Sequence, residues 1–186
     1  SKYKMPIKVL SSFKKSQGTI VKEEVEGMER PLVTGISAVD NEAKLTIREV
    51  KDIPGIAAKI LGPISEAGID IDVIVQNISA DNITDFTFTV DKSRAEEAEE
   101  ILNECSKELG SGEIDVDSNI AKISVVGIGM RSHAGIATQM FETLAEANIN
   151  ILMIITSEIK ISVVIKKDAM KDAVVALHDA FELEQI

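Results

Sequence analysis

Asp52, Pro54 and Gly55 stand immediately before an apolar helical run that begins at Ile56. A helix start presents unpaired N–H groups and a partial positive charge, which suits a carboxylate. Glycine lets a ligand approach the backbone. The Asp52 side chain beside such a turn is a receptor for an ammonium group. Carboxylate to backbone amides and ammonium to Asp52 is the chemistry of a free amino-acid site. Ordinary turn and cap chemistry is the other account of the same residues, and on physical grounds alone it is the stronger one.

Other reactive residue types are sparse. The chain has two histidines, His133 and His178, and one cysteine, Cys105. No zinc-protease, nucleophile-elbow, P-loop or paired-cysteine motif occurs. Gly127-Ile128-Gly129 has half of a dinucleotide fingerprint and lacks its third glycine. Asp70 and Asp72, two apart on an expected strand, share a face and read as a solvated pair. His133 reads as a hydrogen-bonding turn residue. Cys105 reads as a small core residue in a helix. A single cysteine allows no intrachain disulfide and fits a reducing cytoplasm.

Composition narrows the class further. The 186 residues carry a net charge of −11, which disfavours nucleic acid and anionic membrane as partners. With 45% hydrophobic but only 3% aromatic residues and no Trp, the core must be aliphatic. No apolar run reaches membrane-spanning length, and no signal peptide opens the chain. The chain starts at Ser1 rather than Met, which suggests a piece excised from a longer protein.

The elements that position Asp52 and Gly55 occur twice. Gly55-Ile56-Ala57, Glu66-Ala67, Ile69 and Ile71 recur as Gly135-Ile136-Ala137, Glu146-Ala147, Ile149 and Ile151 at a constant offset of eighty. The first copy predicts strand 43–50, helix 56–67 with a kink near Lys59 caused by Pro63, strand 69–78, and a strand through Phe86, Phe88 and Val90. A helix 94–109 capped by Ser93 and ended by Gly110 follows, then a short strand at Ile114 and Val116. This is β-α-β-β-α-β, the ferredoxin-like order of an α+β fold. The second copy predicts strand 120–127, helix 136–147, strands 149–156 and 158–165, and a helix opened by Asp168. It lacks a fourth strand. Segment 31–38 is left over and is expected to close the second sheet, so that the first copy is inserted in the second. Residues 1–30 hold two short strand signals in a charged stretch and read as a tail or linker.

The paired units resemble ACT domains. The segments IVQN (74–77), TDFTFT (84–89), GMRSHAG (129–135) and TSEIKISV (156–163) look like the regulatory region of bacterial aspartate kinases, a resemblance that runs from Pro31 to Phe181. Residues 1–30 resemble the end of that family's kinase domain. The resemblance implies domains at 1–30 (kinase-domain tail), 43–118 (first ACT unit), and 31–38 with 119–186 (second ACT unit). It implies a region that is not an enzyme alone, has no cofactor of its own, and leaves ATP and Mg to the kinase domain. It implies threonine and/or lysine as effectors, a homodimer through ACT units, a kinase catalytic domain or subunit as partner, and a cytoplasmic location. A stand-alone ACT-type sensor is the alternative. Met28 sits where some relatives begin a separate regulatory subunit.

By the same resemblance, Asp52, Pro54, Gly55, Ile56 and Ala57 hold the effector's charged ends. Gln76 and Asn77 contact it from the next strand. Asn150 and Ile151 contribute from the second unit, and Ser157 and Glu158 match positions that hold lysine. Ser132, His133, Gly135, Ile136 and Ala137 form a pseudo-equivalent second site. Ala137 stands where relatives can carry a hydroxyl, which weakens that site for lysine.

Overall fold

The computed structural model describes residues 7–10, 19–21, 33–77, 82–127 and 134–183. The chain divides into two units, Ser1–Pro31 and Leu32–Ile186. In the first, β1 (Ile7–Val9) and β2 (Thr19–Val21) pair antiparallel, Ile7 opposite Val21. The two strand signals in this stretch thus form a paired ladder.

The second unit holds two four-stranded antiparallel sheets. Its strands are β3 (Val33–Val39), β4 (Glu42–Lys51), β5 (Ile71–Gln76), β6 (Ile83–Asp91), β7 (Ile114–Asp117), β8 (Ile120–Gly127), β9 (Ile151–Thr156) and β10 (Lys160–Lys166). Its helices are α1 (Ile56–Glu66), α2 (Ala95–Leu109), α3 (Ala134–Glu146) and α4 (Met170–Ala180). The sheet orders are β5-β6-β4-β7 and β3-β8-β10-β9. The leftover strand, β3, pairs antiparallel with β8 and fills the place that β7 fills beside β4. The first ferredoxin-like unit is therefore inserted between β3 and the rest of the second.

Each sheet buries one face under two helices. In the first, Leu45, Ile47, Phe86 and Phe88 pack with Ile56, Ile60 and Ile64 of α1 and Leu102 of α2. In the second, Ile123, Val125, Val163 and Ile165 pack with Ile136, Met140 and Leu144 of α3 and Leu177 of α4. Spacings of three and four along the helices place these residues on one stripe. Each fully buried Ile contributes about 2 kcal/mol.

The opposite faces carry polar residues that are nonetheless buried or half-buried. Thr46 and Thr87 hydroxyls lie 2.9 Å apart, and Ser124 and Ser162 hydroxyls 2.8 Å apart, so each satisfies the other. Here the second sheet meets the first: the Lys122 ammonium on β8 pairs with Glu42 on β4 and Asp72 on β5. Asp72 is therefore an ion-pair partner rather than half of a solvated carboxylate pair, and Asp70 precedes the strand.

Local signals were mostly realised, with two differences at helix starts. α1 runs from Ile56 to Glu66 with Pro63 inside it. Because Pro63 has no N–H, the Lys59 carbonyl lacks its helical partner, and the Cys105 thiol donates to it at 3.6 Å. Cys105 is buried in the first core, and burial, with the nearby Glu108 charge, pushes its thiol above the usual pKa. Before α2, the cap is the Asp91 carboxylate, which accepts from the Ser93 amide at 2.9 Å across a 3₁₀ turn at Lys92–Arg94. Asp168 lies inside a similar turn, Lys167–Ala169, rather than at a cap.

Candidate functional site

β4 and β5 each run antiparallel to β6, so they are parallel to one another and end at the same edge of the sheet. α1 connects them, and its first turn stands above that edge. Pro54 and Gly55 occupy the middle of a turn in which the Ile56 amide donates to the Ile53 carbonyl at 3.1 Å. Gly55 has φ +88° and ψ −1°, the geometry of a type II turn's third residue. Pro54 fits the second position, and glycine removes the steric penalty at the third. With no side chain on Gly55, the first amides of α1 have no side-chain cap. The helix start is left as an anion-accepting group.

Asp52 is anchored by its amide, which donates to the Asn82 carbonyl at 2.8 Å. Its carboxylate accepts from the Gln76 side-chain amide at 3.1 Å. Asn77, next along the chain, accepts the Thr84 hydroxyl at its carbonyl. Asp52, Pro54, Gly55, Gln76 and Asn77 are thus gathered at one sheet edge. Ile56 contributes its side chain to the core and its amide to the turn, and Ala57 packs against the same core.

Two bulges bring Asp52 and Gln76 to the helix-covered side. In β4, Ile47 faces Phe86 and Val50 faces Thr84, so Arg48 and Glu49 stand against Asp85. In β5, Ile71 faces Val90 and Ile74 faces Phe88. Each extra residue flips the strand beyond it. The run Ile71, Val73, Val75 therefore does not keep one face. Val73 instead donates its amide to the Thr89 hydroxyl at 3.3 Å, and Ile74 and Gln76 turn towards the α1 side.

The second unit repeats the plan. β8 and β9 are parallel about β10, and β9 has the matching bulge, Val164 facing Met153 and Ile165 facing Ile151. The residue offset by eighty from Gln76 is Thr156, opposite Ile161. It opens the TSEIKISV segment, and the eighty-residue offset is the signal that marks it as the counterpart of Gln76. Gly135 is exposed, Ile136 is buried in the second core and Ala137 packs against it. Ser132 and His133 lie outside the described residues. Ser157 closes the β9–β10 turn, its amide donating to the Lys160 carbonyl at 2.9 Å, and Glu158 is exposed beside it. Asn150 and Ile151 lie at the opposite end of β9. No hydrogen bond among the described residues joins them to the Asp52–Gln76 pair.

The ACT domain models match residues 45–106 and 123–181. Two solved structures cover 81% of this chain and 99% of their own, both with TM-score 0.77. One, of aspartokinase alpha and beta subunits, is 47% identical. The other, the ligand-free regulatory subunit of aspartate kinase from Thermus thermophilus, is 37% identical. The chain belongs to the aspartokinase family. Within that family it corresponds to the regulatory, ACT-domain region. Aspartate kinase of Pseudomonas fluorescens is 56% identical over 98% of this chain but only 45% of its own length. The chain thus spans just under half the length of the curated aspartokinases it matches.

Proposed function

We propose that this chain is the allosteric region of an aspartate kinase and binds an end-product amino acid, threonine or lysine, beside α1. The observation that carries the reading is the Asp52–Gln76 hydrogen bond at the uncapped start of α1. The ligand's carboxylate meets the first amides of α1, and its ammonium meets Asp52. Gln76 orients the Asp52 carboxylate and contributes an amide of its own.

The site is completed by a second copy of the chain. β5 and β9 are edge strands, and each carries an exposed isoleucine, Ile74 at 53% and Ile154 at 51% exposure. Such edges call for a partner. In a homodimer, Asn150 and Ile151 of one copy's second ACT unit come to the first unit of the other. Ser157 and Glu158, exposed in the β9–β10 turn, are the residues offered to a lysine effector. The parent protein phosphorylates aspartate with ATP and Mg in its kinase domain, which opens lysine, threonine and methionine synthesis in the cytoplasm. Effector binding favours one dimer arrangement, and the attached kinase domain is shifted to its inactive state by the difference in affinity. A tenfold coupling corresponds to about 1.4 kcal/mol.

Calorimetric titration of the chain with threonine, lysine and methionine tests this. Saturable binding of threonine or lysine supports the reading. Absence of heat with both in a folded, dimeric sample refutes it.

A further inference from the structure

The β4 bulge carries a conformational cost and has a dedicated support. Glu49 has φ +55°, a left-handed conformation that is unfavourable for a non-glycine residue. Arg48 is already fixed on the β7 side. Its amide donates to the Glu113 carbonyl at 3.1 Å, and its carbonyl accepts the Gly112 amide at 2.8 Å. The Glu49 amide, on the other side, is donated to a side chain, Asp85 Oδ1 at 3.1 Å. Asp85 Oδ2 also meets Arg48 Nη1 at 3.4 Å, and Arg48 Nη2 meets Asp115 Oδ2 at 3.4 Å. These charged groups are about half exposed, so their attraction is weak. The acceptor for the Glu49 amide is the specific contribution.

We infer that Asp85 is a positioning residue for the ligand site: it holds the β4 bulge that turns Asp52 to the same side as Gln76. This rests on the reading that Asp52 and Gln76 hold the ligand. Asp85 is hydrogen-bonded to neither residue. It acts by register, because a bulge that slips returns Asp52 to the opposite face of the strand. Without it, Val50 would also leave the core.

The test uses the whole chain and two readouts. The first is the Gln76 side-chain amide signal in ¹H–¹⁵N spectra, calibrated with Asp52→Ala, which removes the acceptor and needs no ligand. The second is calorimetric affinity for threonine and lysine. Asp85→Ala is expected to move the Gln76 signal as Asp52→Ala does and to weaken binding at least tenfold. Asp85→Asn, whose amide oxygen still accepts the Glu49 amide, is expected to keep both near wild type. Glu49→Gly added to Asp85→Ala is expected to restore them in part, because glycine holds φ +55° without support. An unmoved Gln76 signal in folded Asp85→Ala overturns the inference, as does equal impairment by Asn and Ala. If Asp85→Ala does not fold, failure of Glu49→Gly to rescue it overturns the inference too. If the wild type binds neither amino acid while the Gln76 signal responds as expected, the ligand reading fails and the positioning role stands.

Discussion

Gln76 Nε2 lies 3.1 Å from Asp52 Oδ1, joining the ends of two parallel strands that are not neighbours in the sheet. The contact spans the start of β6 and fixes a carboxylate beside the first turn of α1. Asp52→Ala removes the ammonium receptor and should weaken amino-acid binding by tenfold or more, about 1.4 kcal/mol. Gln76→Ala should weaken it less. Titration calorimetry at constant ionic strength compares the two, and equal wild-type affinity in both variants would remove these residues from the site.

Gly55 at φ +88° has open space where a β-carbon would stand, with nothing within 4 Å. Gly55→Ala should therefore destabilise through backbone conformation alone, by about 1–2 kcal/mol. Thermal unfolding reads that loss. The site was legible in sequence here because Pro54-Gly55 names its turn type locally.

Lys122 is mostly buried against Glu42 and Asp72. Burial by itself would push its ammonium pKa down, and the hydrogen bonds to Asp72 and Glu42 outweigh that and hold it up. Lys122→Met leaves the buried Glu42 carboxylate without its cation and should cost about 3 kcal/mol. Adding Glu42→Gln should recover much of it, a coupling that a double-mutant cycle in denaturant measures.

Pro63 lies inside α1 and leaves the Lys59 carbonyl to the Cys105 thiol. Pro63→Ala restores the helical donor and should raise the unfolding midpoint, by about 1 kcal/mol or more in stability. Cys105 in the folded wild type should react with a thiol reagent only as fast as the chain opens.

Asp91 is held below the ordinary carboxylate pKa by the Ser93 hydroxyl and amide, and by Asn41. Its stabilisation is full above the unfolded value near pH 3.9 and is lost as pH falls through the lower folded value. Asp91→Asn should flatten that part of an acid-unfolding curve. The wild type and variant should converge at the acid end.

Much of this protein was determined by sequence alone, because the signals are local. The eighty-residue repeat, the helical stripes at Ile56, Ile60 and Ile64, the Pro54-Gly55 turn and the missing fourth strand together specify two ferredoxin-like units. They also specify β3 as the strand that completes the second sheet. Tertiary structure decided what depends on register and on partners distant in sequence. Strict alternation puts Asp52 and Gln76 on the face away from α1. Two bulges reverse that, and each is set by a neighbouring strand rather than by the strand's own residues. Asp85 stands in the TDFTFT segment, but nothing in that segment marks its role, which exists only where β6 lies against Glu49. Asp72 read as a solvated acid until β8 brought Lys122 to it. A periodic pattern reports which face a residue occupies only while the period is unbroken. Pairing between strands, which one strand's sequence does not contain, determines where it breaks.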